Sequence, residues 1–200
     1  MERYKTKNLV ASSIITGVEL ACFIVLSILT LLASKGHSAF IVGVSLILCF
    51  GSLYLLLKTI TLALYNTRAK RALDAIAKSL ELLTLMALSY PLSFGVKSFA
   101  CGWVAFSLIT LWAVLTLIYK CIFYLKYWRW SYAVSVVTLL VCMILLATGK
   151  VLNTYFIIAF IMGLITYWLA NKAPRYLWLA CLLELIMFSL WFFGLMALVH

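Results

Sequence analysis

Residues Leu177–Val199 read LWLACLLELIMFSLWFFGLMALV, and Glu184 is the one charged residue among them. A helix of about 20 mainly apolar residues is long enough to cross the hydrocarbon core of a bilayer. Strands of a membrane β-barrel would instead alternate polar and apolar residues over about ten positions. This unbroken apolar run therefore predicts a transmembrane α-helix.

Further apolar runs precede this stretch along the chain. They predict membrane spans at Leu9–Ala33, Ala39–Leu57, Ser79–Val96, Ala100–Tyr119, Ser131–Thr148 and Val151–Ala170. Hydrophobic residues make up 67% of the 200-residue chain and charged residues 10%, whereas a soluble domain contains about 25% charged residues. The sequence therefore predicts an all-α polytopic membrane protein, with seven transmembrane helices in a single transmembrane domain over residues 1–200.

The basic residues predict the orientation of these helices. All but three of the sixteen Lys and Arg residues lie before the first span or in alternate loops; the exceptions are Lys35, Lys97 and Lys150. Loops on the cytoplasmic side carry an excess of Lys and Arg. The N-terminus is therefore predicted to be cytoplasmic and the C-terminus external, in a cell membrane of the bacterial inner-membrane type. The net charge of +11 reflects this asymmetry and does not indicate nucleic acid as a partner.

The segment 66–78 is the largest predicted loop and is amphipathic. Its apolar residues fall on one helical face, and Arg68, Lys70 and Arg71 lie among the polar residues of the remainder. The segment either lies on the inner leaflet or extends a neighbouring helix, and docking of a partner protein is the alternative to this interfacial role. Lys58, close to the predicted end of the second helix, is expected to reach the inner interface.

Two carboxylates, Glu19 and Glu184, fall well inside predicted spans. An ionised side chain at the centre of a membrane costs about 2.5–3.5 kcal/mol on insertion scales. These residues therefore point either to a proton, cation or substrate path, or to a neutral or hydrogen-bonded carboxyl that joins helices. Glu81, near the inner end of the third helix, has Lys78 three residues away as a candidate ion-pair partner.

Polar side chains also form stripes on three predicted helices, and such stripes are expected to face the bundle interior. The first helix carries Ser12, Thr16, Glu19, Phe23, Ser27 and Thr30; the second carries Ser45, Cys49, Ser52 and Thr59; the fifth carries Ser131, Ser135, Thr138 and Cys142. Either these stripes line an aqueous path or their small residues permit close helix packing. In the first case the path residues are Glu19, Glu184, Ser12, Thr16, Ser27, Ser135 and Thr138.

Pro91 is predicted to kink the third helix, where it can act as a hinge or simply shape the helix. The only histidines are His37 and His200, and no metal-ligand spacing, nucleotide motif or nucleophile motif is present. The sequence therefore predicts no enzyme activity, no metal site and no cofactor.

A weak internal repeat is the last feature. Leu80-Glu81-Leu82-Leu83 in the third predicted helix parallels Leu183-Glu184-Leu185-Ile186 in the seventh. Residues 1–99 would then hold helices one to three, 100–130 a linker helix and an inner loop, and 131–200 helices five to seven. This 3+1+3 layout resembles the SWEET sugar transporters and PnuC vitamin-precursor transporters in topology. The resemblance implies alternating access of a small polar molecule to a midplane site.

Two functions follow as hypotheses. The first is a transporter or channel that moves a small molecule or ion along a polar path containing the buried glutamates. The alternative is a non-catalytic membrane subunit or assembly factor that binds a membrane-protein partner. The expected partners are the lipid bilayer, an unidentified small molecule or ion, and a membrane protein or a second copy of the chain.

Overall fold

A computed structural model describes residues 2–35, 38–64, 68–95, 99–122, 154–172 and 176–199. The described residues form α-helices and no strand. The helices are α1 Glu2–Ala33, α2 Ser38–Ala63, α3 Arg68–Ala87, α4 Tyr90–Gly95, α5 Phe99–Ile122, α6 Thr154–Lys172 and α7 Leu177–Val199. The predicted all-α class is therefore confirmed for this part of the chain.

Three of the described helices are long and apolar enough to cross a membrane: α2, α7 and the Lys7–Ala33 part of α1. α5 and α6 contain shorter apolar stretches, Gly102–Leu115 and Thr154–Leu169. The fifth predicted span, Ser131–Thr148, lies outside the described residues. These helices place the chain among membrane proteins.

The region of the third predicted span differs most from expectation. α3 begins at Arg68, so residues 68–78 of the amphipathic segment belong to this helix, and Arg68, Lys70 and Arg71 lie in its first turn. The helix then breaks at Leu88 and Ser89 before α4 begins. Pro91 follows the break because it has no N–H to donate to the carbonyl of Ala87 and disfavours the helical conformation at the residue before it.

α1 lies between α2 and α7, and α6 packs on α7. α2 also contacts α3 and α4, and α5 packs against α3 and α4. Phe23 packs α1 against both neighbours: a Cβ at Gly51 would overlap its ring, and Phe188 and Phe192 meet the ring edge-on with centroids 5.1 and 5.2 Å away. Close packing of this kind, rather than exclusion of water, holds helices together in lipid.

Side-chain contacts give the register of these three helices. Ser13 lies beside the Thr59 carbonyl, 3.5 Å away, and Phe23 lies against Gly51, so α1 and α2 are antiparallel. The Ser12 hydroxyl is within hydrogen-bonding range of the Cys181 thiol, whereas Phe23 meets Phe188 and Phe192. α1 and α7 are therefore parallel.

The polar stripe of α1 faces inward, as the sequence predicts. Its buried residues are Ser12, Thr16, Glu19, Phe23, Ser27, Thr30 and Ser34. The exposed face includes Val10, Ile14, Val18, Val25, Ile28 and Leu32. The buried hydroxyls donate to carbonyls one turn earlier, Ser12 to Asn8 at 2.7 Å and Ser27 to Phe23 at 2.7 Å, which satisfies them without water.

The expectation that the α2 stripe faces inward is wrong. Ser45 and Cys49 are exposed, and Ser52 is half-buried. The hydroxyl of Ser45 donates to the Ile41 carbonyl at 2.8 Å. Because a serine in a helix can satisfy itself in this way, it tolerates the outer surface of the bundle and does not have to face a polar interior.

Candidate functional site

The candidate site is a buried ion pair between Lys58 of α2 and Glu184 of α7. Lys58 Nζ donates to Oε2 of Glu184, and the Tyr54 hydroxyl donates to Oε1 at 2.9 Å. Lys58 and Tyr54 are one turn apart on α2, so they share a face, and the ammonium lies 5.4 Å from the centre of the Tyr54 ring. Both carboxylate oxygens of Glu184 are therefore paired.

The expectation that Lys58 reaches the inner interface is wrong. α2 continues to Ala63, six residues beyond the predicted end, and this places Lys58 inside the helix. Only 18% of the Lys58 side chain and 12% of the Glu184 side chain are exposed. At about 1.5 Å per residue, Lys58 lies roughly 7 Å from the C-terminal end of α2 and Glu184 roughly 10 Å from the N-terminal end of α7. If either side chain left the pair, the other would remain as an uncompensated buried charge, which is strongly unfavourable.

Glu19 of α1 lies behind this pair. The register of α1 against α2 puts Glu19 level with Tyr54, and its register against α7 puts Glu19 within about one helical turn of Glu184. The charges of Glu184 and Lys58 both act on its carboxyl. Glu19 is 1% exposed, and neither of its oxygens has a hydrogen-bond partner among the described residues.

A cavity of about 460 Å³ opens on the other side of the ion pair. α2, α3, α6 and α7 supply its walls, and Tyr54, Lys58 and Glu184 belong to them. Its remaining lining is mostly apolar, with Leu85, Phe160, Met187, Phe188 and Trp191 among the larger side chains. A pocket of this size with few polar groups is typical of small-molecule sites.

Further charged residues of α3 line the cavity: Asp74, Lys78 and Glu81. Lys78 pairs with Asp74, with 2.9 Å between Nζ and Oδ2, and these side chains are 43% and 47% exposed. Asp74 is thus one partner of Lys78, and Glu81, which the sequence suggested as its partner, lines the same cavity. The cavity therefore has an exposed ion pair on α3 and a buried ion pair on α2 and α7.

The structure divides the sequence-predicted path residues into three groups. Glu184 lines the cavity. Glu19, Ser12, Thr16 and Ser27 are buried on α1, which contributes no residue to the described lining. Ser135 and Thr138 lie outside the described residues. Pro91 is buried in α4 and is not part of the described lining.

Sequence reasoning missed Tyr54 and Lys58 as members of this site. Their spacing of four residues puts them on one face of a helix, and a carboxylate in a membrane span requires a partner. Those two signals are present in the sequence. The pairing itself depends on α2 and α7 both packing on α1, which no local pattern indicates.

No group of three or more His, Cys, Asp or Glu side chains able to hold a metal ion occurs in the described part of the chain. No family model, no curated protein and no solved structure matches the sequence. The arguments for function therefore rest on the geometry of the cavity and the ion pair.

Proposed function

We propose that this chain is a membrane transporter that carries a small molecule through the cavity between α2, α3, α6 and α7. The buried Lys58–Glu184 ion pair in the cavity wall is the observation that carries the proposal. A charged pair at membrane depth is costly, and replacing such a pair with packed apolar side chains is often neutral or stabilising. The position of this ion pair in the wall of a cavity therefore supports a role for its charges in binding a substrate.

The proposed topology has seven spans, a cytoplasmic N-terminus and an external C-terminus, in a bacterial inner membrane. The register supports it, because the first and seventh predicted spans must be parallel and the first and second antiparallel, as α1, α7 and α2 are. In this orientation the cavity extends from the cytoplasmic ends of α2 and α7 into the bundle, since its lining includes Leu62 near the C-terminal end of α2 and runs along α7 from Leu177 to Trp191.

The proposed mechanism is alternating access between two halves of the helix bundle, as in the parallel-repeat transporters that the sequence resembles. Glu81 and Glu184 occupy matching positions in the two candidate repeats, and both line the cavity, which supports this relation. A bound substrate would compete with the ion pair between α2 and α7 for its charges. Exchange of these contacts would link substrate binding to movement of the two helices.

Counterflow into liposomes tests this proposal with a mixture of candidate substrates. The purified chain is reconstituted into vesicles loaded with unlabelled amino acids, nucleosides, sugars, organic acids and vitamins. The vesicles are diluted into the isotopically labelled mixture, and mass spectrometry identifies any compound that exchanges. We expect exchange of a compound small enough for the cavity, and its loss in Glu184→Gln, which preserves shape but removes the negative charge.

Ser45→Ala is the matched control, because Ser45 is exposed on the same helix as Lys58 and bonds to the backbone carbonyl of Ile41 in its own helix. Its exchange rate should equal that of the unsubstituted chain. Unchanged exchange in folded Glu184→Gln would remove Glu184 from the mechanism. No exchange of any compound by the unsubstituted chain would favour the alternative, a membrane subunit that binds a partner protein.

A further inference from the structure

Glu19 is a buried acid that the proposed carrier mechanism leaves without a role. It is 1% exposed and both of its oxygens lack a hydrogen-bond partner in the described part of the chain. It faces α2 and α7 rather than lipid, on the inward stripe of α1. A carboxylate without a partner in such a place is unfavourable, so the geometry requires either a bound cation or a proton.

The groups around Glu19 come from every described helix that packs on it. α2 presents Tyr54 and Lys58, and α7 presents Cys181 and Glu184, whose charge acts on Glu19 together with that of Lys58. The charge of Glu81 on α3 reaches Tyr54. On α1 itself, the neighbouring titratable group is Cys22, which is half-buried.

The charges of the three neighbouring groups Glu19, Lys58 and Glu184 do not balance when both acids are ionised. Lys58 supplies one positive charge, whereas Glu19 and Glu184 would supply two negative charges. The ammonium already pairs with Glu184, and no second cation faces Glu19 from the described parts of α1, α2 or α7, so one proton on Glu19 makes the cluster neutral. The unpartnered oxygens of Glu19 agree with this arrangement, because a neutral carboxyl tolerates burial better than an ion.

We propose that Glu19 is a proton-binding site and that the transporter is driven by protons. This inference rests on the proposed transport function, to which it adds the coupling ion. In the outward-open state a proton from the external side binds a carboxylate oxygen of Glu19, and in the inward-open state it leaves past Glu184 and Lys58 through the cavity to the cytoplasm. Its release leaves two carboxylates in competition for the ammonium of Lys58, which loosens the link between α2 and α7.

Infrared spectroscopy of the unsubstituted chain in liposomes tests the protonation directly, without any substrate. A protonated carboxyl has a carbonyl stretching band that an ionised carboxylate lacks, and the band shifts in heavy water. We expect this band at neutral pH in the unsubstituted chain and its complete loss in Glu19→Gln. The chain has only five acidic side chains, so the triple variant Glu2→Gln, Asp74→Asn, Glu81→Gln should retain the band.

The absence of the band at neutral pH would overturn the proposal, because Glu19 would then be ionised and a metal cation its natural partner. A band that persists in Glu19→Gln would also overturn it, since the proton would belong to another acid. If Glu19→Gln does not fold, the triple variant decides: loss of the band there excludes Glu19 as its source.

The coupling of transport to protons can be measured separately once a compound that exchanges has been identified. A pH gradient, acidic outside, should drive accumulation of that compound by the unsubstituted chain. Glu19→Gln should not accumulate the compound under the same gradient, whereas the matched control Ser45→Ala should accumulate it as the unsubstituted chain does. Accumulation by Glu19→Gln would refute coupling through Glu19. A chain that transports nothing yet shows the infrared band would refute the transport function and leave the proton site standing.

Discussion

At the scale of single residues, the two ion pairs around the cavity differ in what they contribute. Lys58 and Glu184 are mostly buried, whereas Lys78 and Asp74 are almost half exposed and lie four residues apart on one helix. Exposed pairs of this kind contribute roughly 0–1 kcal/mol, since water screens their charges. Removal of one partner from a buried pair costs about 3–5 kcal/mol, because the other charge is left without compensation.

Lys58→Met should therefore destabilise the helix bundle by several kcal/mol, and Lys78→Met, the matched control, by roughly 1 kcal/mol or less. Reversible unfolding in mixed detergent measures both. The double variant Lys58→Met, Glu184→Leu should recover much of the loss, because it removes the unpaired carboxylate as well. Equal stability of Lys58→Met and Lys78→Met would contradict the buried pairing.

At the scale of helices, α4 is held by two glycines. A Cβ at Gly43 of α2 would lie 2.9 Å from the backbone nitrogen of Pro91, and a Cβ at Gly102 of α5 would overlap the carbonyl oxygen of Ser93. α4 therefore packs by its backbone against both neighbours. Small residues permit this close approach between membrane helices. The break at Leu88 and Ser89 changes the direction of the chain, so that α4 lies between α2 and α5.

Gly43→Ala should destabilise the bundle by about 1–3 kcal/mol, the usual cost of overpacking, since its neighbour is backbone and cannot rotate away. Gly17→Ala is the matched control: Gly17 is also in a helix, but a Cβ there would meet nothing within 4 Å. We expect that variant to be neutral or slightly stabilised, by up to about 1 kcal/mol. Thermal unfolding of the two variants compares them, and equal melting temperatures would argue against the backbone contact.

At the scale of the whole molecule, the proposed topology requires an odd number of spans. The chain ends would then lie on opposite sides of the membrane. A fusion of alkaline phosphatase, which folds only outside the cytoplasm, after His200 should be active in bacteria. The same fusion to green fluorescent protein, which does not become fluorescent when exported unfolded, should be dark. The reverse pattern would place the C-terminus in the cytoplasm and would contradict the proposed topology.

The position of the cavity depends on how the helices pack together. α1 carries the most extensive polar stripe described, yet it packs between α2 and α7 with its hydroxyls bonded to its own carbonyls. The cavity forms instead where α3 and α6 flank α2 and α7. A polar stripe therefore indicates which face of a helix is buried, but it does not indicate whether that face meets water or another helix.

The helical class, a membrane location and the bounds of α7 could be predicted from the sequence, because about 20 apolar residues in a row have few other stable arrangements. The burial of Glu19 and Glu184 could be predicted as well, since lipid offers a carboxyl no partner. The position of Glu19 behind the ion pair, and the pairing of Lys58 and Tyr54 with Glu184, come from the tertiary structure alone. These contacts join residues more than 100 positions apart, and helix order and register, set by the packing of Phe23 and the glycines, bring them together.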